Sequence, residues 1–245
     1  MPSPWPYPRW IAHRGAGKLA PENTLAAFRL GASHGYRMFE CDVKLSQDDV
    51  PFLMHDADLR RTTDGSGTGG NQPWHMLSQH DAGNWHSRGY AGEGLPCLEN
   101  IARFCQNNGH LLNIEIKPTP GTERHTGEVV ARHAARLWAL AAIPPLMTSF
   151  DLAALEGARS AAPDLPRGLL LDKPRADWLD VAGDLGCVAV VCHYSLWDQA
   201  TVAAAHQAHL RCLSYTVNDE WIAHRLLNLQ TDGIITDRVD LFAPD

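Results

Sequence analysis

Apolar positions gather in nine short runs: 10–15 (WIAHRG), 37–45 (RMFECDVKL), 50–56 (VPFLMHD), 111–117 (LLNIEIK), 145–150 (PLMTSF), 167–172 (RGLLLD), 187–193 (CVAVVCH), 210–217 (LRCLSYTV) and 232–237 (DGIITD). Within each run they are nearly continuous rather than alternating, which suits parallel strands buried on both faces. Between most of them the spacing is helical, as over 23–35, 127–142, 151–162 and 219–229, with Asn23, Asp151 and Asp219 as predicted N-caps. Repeating β–α units predict a parallel sheet.

Nine strands are one too many for a (β/α)8 TIM-type barrel. Only the stretch LSQDDVP (45–51) joins the second run to the third. A parallel crossover needs about a dozen residues or more, so this pair is predicted to be a hairpin turning near Gln47–Asp49. Asp42 and His55 then lie roughly opposite each other, and eight parallel strands remain. Residues 57–96 hold too many Gly and Pro for one regular element and read as an insertion on the barrel rim after the second strand. The expectation is one domain spanning 1–245.

Composition narrows the function classes. A formal net charge of −7 over 245 residues argues against a nucleic-acid binder and leaves room for a local basic pocket. The opening MPSPWPYPRW has neither the basic nor the apolar region of a signal peptide, and no window reaches eighteen apolar residues. Cys41, Cys97, Cys105, Cys187, Cys192 and Cys212 form no C-x-x-C pair, and several sit in strand-like runs. Reduced core cysteines in a cytoplasmic protein are expected.

Barrel chemistry sits at the C-terminal ends of the strands. There the chain carries His13-Arg14, Glu40 and Asp42, His55-Asp56, Glu115 and Lys117, Ser149-Phe150, Tyr215 to Asn218, and Thr236-Asp237. Alternation puts Glu40 and Asp42 on one face, and Glu115 and Lys117 likewise share a face. If that face is the lumen, three carboxylates converge, and like charges so close demand protons or a cation. All-oxygen ligands suit one divalent cation, Mg2+ or Ca2+. Arg14 and Lys117 beside it would clamp a phosphate, and His13 and His55 would serve as acid and base. The bland alternatives are separate ion pairs for the acids and structural roles for the histidines.

HRG at 13–15, PENT at 21–24, E-x-D at 40–42, HD at 55–56, EIK at 115–117, SF at 149–150, TVN at 216–218 and DGIITD at 232–237 stand in one order along the chain. In this the chain resembles the glycerophosphodiester phosphodiesterases, and especially their compact cytoplasmic bacterial members. The resemblance implies a PLC-like phosphodiesterase barrel hydrolysing glycerophosphodiesters to glycerol 3-phosphate and an alcohol. It implies catalytic His13 and His55, metal ligands Glu40, Asp42 and Glu115, and phosphate contacts Arg14 and Lys117. The implied scheme has two steps, with His13 as base and His55 as acid in the first. Tyr215, where many relatives carry Trp, is expected against the glycerol moiety, and Phe150 either there as well or in ordinary barrel packing. Glu22 and Asn23 are read as orienting Arg14, binding the ion or starting a helix, and Asp56 as orienting His55 or ending its strand. Asp64-Gly65-Ser66-Gly67 lacks cation-loop spacing and is expected to be a turn.

The expected partner is a small glycerophosphodiester, with no nucleic acid and no stable membrane association. Two other readings compete: a lipid-acting phosphodiesterase on the same barrel, for which Trp74, Trp85 and Tyr90 would be the interfacial aromatics, and a non-catalytic phosphodiester-binding barrel.

Overall fold

The chain alternates strand and helix along nearly its whole length. A computed structural model describes residues 5–244. The leader reading of the opening residues falls partly on 1–4, outside that range. In chain order the elements are β1 (Trp10–Ala12), α1 (Leu25–Ser33), β2 (Met38–Leu45), β3 (Pro51–Leu53), α2 (Trp74–Leu77), α3 (Leu98–Asn107), β4 (Leu111–Ile116), α4 (Glu123–Leu137), β5 (Leu146–Ser149), α5 (Leu152–Ala161), β6 (Arg167–Leu171), α6 (Trp178–Asp184), β7 (Ala189–His193), α7 (Gln199–Gln207), β8 (Arg211–Tyr215), α8 (Glu220–Asn228) and β9 (Gly233–Thr236). Each of the nine apolar runs contains one strand.

The strand order is β1-β9-β8-β7-β6-β5-β4-β2, and a further β1–β2 pairing closes these eight parallel strands into a barrel. β3 is the ninth strand and folds back antiparallel on β2, pairing Val43 with Leu53 and Lys44 with Phe52. The Met54 amide donates to the Asp42 carbonyl at 3.0 Å. Asp42 therefore faces Met54, and the expected opposition of Asp42 and His55 is displaced by one residue.

Two apolar layers follow from alternation along the strands. Phe39, Cys41 and Val43 of β2 point outward into the main core between sheet and helices. Met38 points inward, into a lumenal cluster with Ile11, Leu146, Leu170, Val191, Leu213 and Ile235. The Tyr7 hydroxyl donates to the Pro144 carbonyl at 2.8 Å and ties the N-terminal segment to the loop before β5. All six cysteines are free thiols, five of them buried. No helix among the described residues is long and apolar enough to cross a membrane.

The insertion between β3 and α3 consists of short 3-10 turns and the single-turn α2. It packs on the hairpin arm around a separate apolar centre, Phe52 and Met54 of the arm with Leu59, Leu77, Ala82 and Leu95 of the insertion, and Trp74 packs against it. The Trp85 indole N–H donates to the Ala82 carbonyl at 2.8 Å, and Tyr90 packs on the main core. These aromatics are tied to the protein rather than gathered into an exposed apolar loop.

One predicted cap is corrected. Asp151 and Asp219 accept hydrogen bonds from the first-turn amides of α5 and α8. Asn23 does not cap α1: Thr24, with extended backbone, accepts from the Ala27 amide instead. Asn23 has φ 59°, and its amide hydrogen-bonds both the side chain and the backbone of Asp42. A side chain committed to a neighbouring strand cannot also satisfy its own helix.

The β1–α1 loop is unusually constrained. Arg14 (φ 50°), Gly15 (φ 98°) and Gly17 (φ 58°) all take left-handed backbone, which costs a residue with a Cβ about 1–2 kcal/mol. At Gly17 a Cβ would also lie 2.2 Å from the Asp237 Cα. Gly109, between α3 and β4, has φ 69° with nothing within 4 Å of a built Cβ. Gly109→Ala is therefore expected to cost only the backbone penalty, about 1–2 kcal/mol. Gly17→Ala should cost more, because Asp237 must move. Urea unfolding with unchanged m-values measures both, and equal losses would show that the close approach carries no energy.

Candidate active site

β2 and β4 lie in a register that pairs Glu40 with Asn113 and Asp42 with Glu115. Asp42 and Glu115 therefore stand side by side on adjacent strands, with Glu40 one lumenal position away on β2. They are 2% (Glu40), 1% (Asp42) and 9% (Glu115) exposed. One oxygen from each lies within 4.8 Å of the others. Burial and the charges of Asp42 and Glu115 push the Glu40 carboxyl well above its usual range. Burial, then the Asp42 charge, push Glu115 up to about 7. Burial pushes Asp42 up too, but Arg14, Lys117 and His55 outweigh it and hold Asp42 below its usual value.

Both expected cations reach these acids. The Arg14 guanidinium Nε is 3.1 Å from Asp42 Oδ2, and the Arg14 amide donates to Glu40 Oε2 at 3.0 Å. The left-handed backbone of Arg14 makes that second contact possible. Lys117 Nζ is 2.8 Å from Glu115 Oε1 and 3.9 Å from Asp42 Oδ1. The shorter of these is a close ion pair, whereas Glu40 Oε1 and Asp42 Oδ1 are buried without a hydrogen-bond partner. Three buried carboxylates, each with an oxygen within 4.8 Å of the others and two of them with an oxygen lacking a hydrogen bond, fit a divalent cation. Separate ion pairs account for only part of this arrangement.

The two histidines have matching first partners. His13 Nδ1 is 2.6 Å from Asp237 Oδ1, and His55 Nδ1 is 2.6 Å from Asp56 Oδ1. A carboxylate at Nδ1 fixes the proton there and leaves Nε2 free for other chemistry. Burial lowers the His55 pKa, with Arg14 and Lys117 adding to that effect against Asp42 and Asp56. Asp237 is in turn held by Asn218, whose amide donates to Oδ2 at 2.9 Å and whose carbonyl oxygen accepts from the Asp237 amide. Both histidines, Arg14, Glu40, Glu115, Lys117 and Tyr215 line one cavity of about 180 Å³. Larger clefts, such as the 640 Å³ groove beside α5, bring together no comparable set.

Tyr215 contributes its ring, because its hydroxyl donates to the Leu171 carbonyl at 3.0 Å. Phe150 stands edge-on to it at 5.7 Å between centroids and lies under Lys117. It is 39% exposed and lines the cavity, the first of its two expected places, rather than packing inside the barrel. Glu22 bonds Arg14 and Arg61, and Asn23 serves Asp42. Asp64 bonds the Asp81 amide and His80, as a turn residue would. A second cluster, His206, Cys212 and Asp232, stands at the opposite end of the barrel. There Asp232 is already occupied by Arg211 and the Cys212 amide.

Sequence reasoning assigned no role to Asp237, Asn218, Arg61 or Lys44. Asp237 ends the last strand, and closure onto β1 is what delivers it to His13; its place at a strand end was the available signal. Lys44 follows Asp42 on the same face, is 3% exposed, and donates to the Lys117 carbonyl. Burial lowers its pKa to about 8.

A pH dependence of stability follows from Glu115. It titrates at 4.5 when unperturbed and at about 7 here. Its folded pKa is raised, so its stabilising contribution is present below about pH 4.5 and lost as pH rises through about 7. In chelator, Glu115→Gln should therefore lose less melting temperature than the parent between pH 5 and 8, by roughly 4–10 °C. Added Mg2+ or Ca2+ should raise the parent more than the variant. Parallel melting curves for the two proteins would contradict this.

The comparisons with known proteins agree with this geometry. The family model described as "Glycerophosphoryl diester phosphodiesterase family" matches residues 13–241. A glycerophosphodiester phosphodiesterase of Caldanaerobacter subterraneus is 28% identical over 93% of this chain and 93% of its own. Among solved structures, an Oleispira antarctica phosphodiesterase in complex with the product sn-glycerol 3-phosphate superposes with TM-score 0.87 at 34% identity, covering 94% of this chain and 93% of that one. A glycerophosphodiester phosphodiesterase of Agrobacterium tumefaciens superposes with TM-score 0.79 at 27% identity, covering 97% of this chain and 99% of that one. With the closed barrel and the strand-end cluster already in place, these matches establish that the chain belongs to the glycerophosphoryl diester phosphodiesterase family and is a phosphoric diester hydrolase.

Proposed function

We propose that this chain hydrolyses small glycerophosphodiesters to glycerol 3-phosphate and an alcohol by metal-dependent, two-histidine acid–base catalysis. One observation carries the reading. Two histidines, each backed by a carboxylate, share a cavity with Arg14, Lys117 and buried carboxylate oxygens that lack hydrogen bonds. The small cavity supports a compact polar substrate over a lipid. In this reading the whole chain, 1–245, is one catalytic domain with 57–96 on its rim. It works in the cytoplasm without stable membrane association or nucleic acid.

Arg14 and Lys117 receive the phosphate, and the Tyr215 ring packs against the glycerol moiety. His13 Nε2 takes the proton from the glycerol 2-hydroxyl. That oxygen bonds to phosphorus, the bond from phosphorus to the alcohol oxygen breaks, and His55 Nε2 gives the departing alcohol its proton. A cyclic phosphodiester results. Water then opens it with the roles reversed: His55 takes the water proton and His13 returns one to the 2-oxygen. Asp237 and Asp56 keep each imidazole oriented and stabilise it when charged. Glu40, Asp42 and Glu115 would hold one Mg2+ or Ca2+, which when bound stabilises charge on a nonbridging phosphate oxygen.

His13→Ala and His55→Ala should each lower release of glycerol 3-phosphate from glycerophosphocholine by at least about 10²–10⁴-fold while melting stays near that of the parent. Chelator should abolish parental activity, and Mg2+ or Ca2+ should restore it. Near-parental turnover in either histidine variant rules out the two-histidine scheme. Faster turnover of lysophosphatidylcholine than of glycerophosphocholine would favour the lipid-acting alternative.

A further inference from the structure

A chain of alternating charges surrounds His55. Asp56 Oδ1 meets His55 Nδ1, and Asp56 also accepts from Arg61 Nε at 2.6 Å and from Arg61 Nη2 at 3.1 Å. The other edge of the same guanidinium grips Glu22, with Nη1 to Oε2 and Nη2 to Oε1 both at 2.8 Å. Glu22 Oε1 then accepts from Arg14 Nη1 at 2.9 Å. One arginine of the rim insertion thus forks onto two carboxylates, one holding the second histidine and the other holding the phosphate-facing arginine.

The contrast with His13 is informative. Asp237 is held by Asn218, whose side-chain N–H donates to Oδ2 and whose side-chain oxygen accepts from the Asp237 backbone amide, and its side chain is 12% exposed. Asp56 is 30% exposed, and its described side-chain partners are His55 and Arg61. Without Arg61 the Asp56 carboxylate is free to turn to water, and His55 loses what fixes its ring. Arg61 itself is well placed. It ends the 3-10 turn Leu59–Arg61, whose Leu59 is fully buried in the apolar centre between insertion and hairpin arm and whose amide is bonded to the Gly67 carbonyl.

We propose that Arg61 is a positioning residue for the leaving-group acid. It locks Asp56 against His55 Nδ1 so that Nε2 presents its proton to the departing alcohol, and through Glu22 it fixes the same pocket's Arg14. The rim insertion is then part of the catalytic machinery. The proposal rests on the assignment of His55 as acid made above, and its test separates the two.

The test compares two leaving groups. Choline departs as a poorly stabilised alkoxide and needs a proton, whereas p-nitrophenolate does not. kcat/KM for alcohol release is measured for glycerophosphocholine and for glycerophospho-p-nitrophenol with the parent, Arg61→Gln, Arg61→Lys and His55→Gln. Arg61→Gln should lower the ratio of choline to nitrophenyl kcat/KM by roughly 10–100-fold, a part of the about 10²–10⁴-fold that general acid catalysis contributes. Arg61→Lys should restore that ratio only in part, because an ammonium cannot grip both carboxylates. His55→Gln should lower the ratio further. If His55→Gln lowers it and Arg61→Gln leaves it unchanged, Arg61 has no positioning role and the reading of His55 stands. If His55→Gln leaves the ratio unchanged, the acid assignment fails and Arg61's role fails with it. Should Arg61→Gln be unstable, Arg61→Lys decides alone: a lowered ratio supports the proposal, and an unchanged one overturns it.

Discussion

Three carboxylates held within hydrogen-bonding distance of one point inside a barrel repel one another, and most of the site is arranged around that repulsion. Asp42 and Glu115 are register partners on adjacent strands, so the barrel cannot separate them without losing its pairing. Arg14, Lys117 and Asn23 offset part of the cost through charge and hydrogen bonds. Glu40 and Glu115 nevertheless keep a raised affinity for protons, because burial disfavours their charged forms and the neighbouring carboxylates add to it. A place whose buried acids bind a proton is one that a divalent cation can occupy.

The same demand explains where the backbone is strained. Arg14 and Asn23 are two of the five non-glycine residues with positive φ among the described residues. Each spends that strain on an acid of the cluster: the Arg14 amide on Glu40 and the Asn23 side chain on Asp42. Left-handed residues persist only where surrounding contacts outweigh their cost. Here the contacts are charged and buried, which makes them strong. Gly17 extends the argument to the neighbouring strand end, since only a residue without a Cβ lets the loop lie against Asp237.

The two histidines are alike at Nδ1 and unlike one contact further out. Asp237 sits in the closed barrel wall and is held by neutral groups, whereas Asp56 follows the hairpin arm and depends on a guanidinium brought by the insertion. A hairpin arm alone would leave its terminal histidine on a mobile end. An insertion packed on the arm around a shared apolar centre gives that end a rigid neighbour, which is a physical reason for β3 and residues 57–96 to occur together.

The sequence by itself determined the strand runs, the hairpin that resolves nine runs into eight barrel strands, and which acids, cations and histidines stand together at the strand ends. Those are local matters: period-two alternation sets which residues share a face, and a short connection forbids a parallel crossover. It misjudged Asn23, whose residue type suits a helix cap, because the competing partner, Asp42, lies on another strand. It left Phe150 between the site and the barrel packing, and the structure has it lining the cavity. It was silent on Asp237 with His13, separated by 224 residues, and on Arg61 with Glu22, separated by 39. Tertiary structure decided those pairings because barrel closure and the docking of the insertion bring distant charges within hydrogen-bond reach, and no local pattern encodes which carboxylate a guanidinium or imidazole will find.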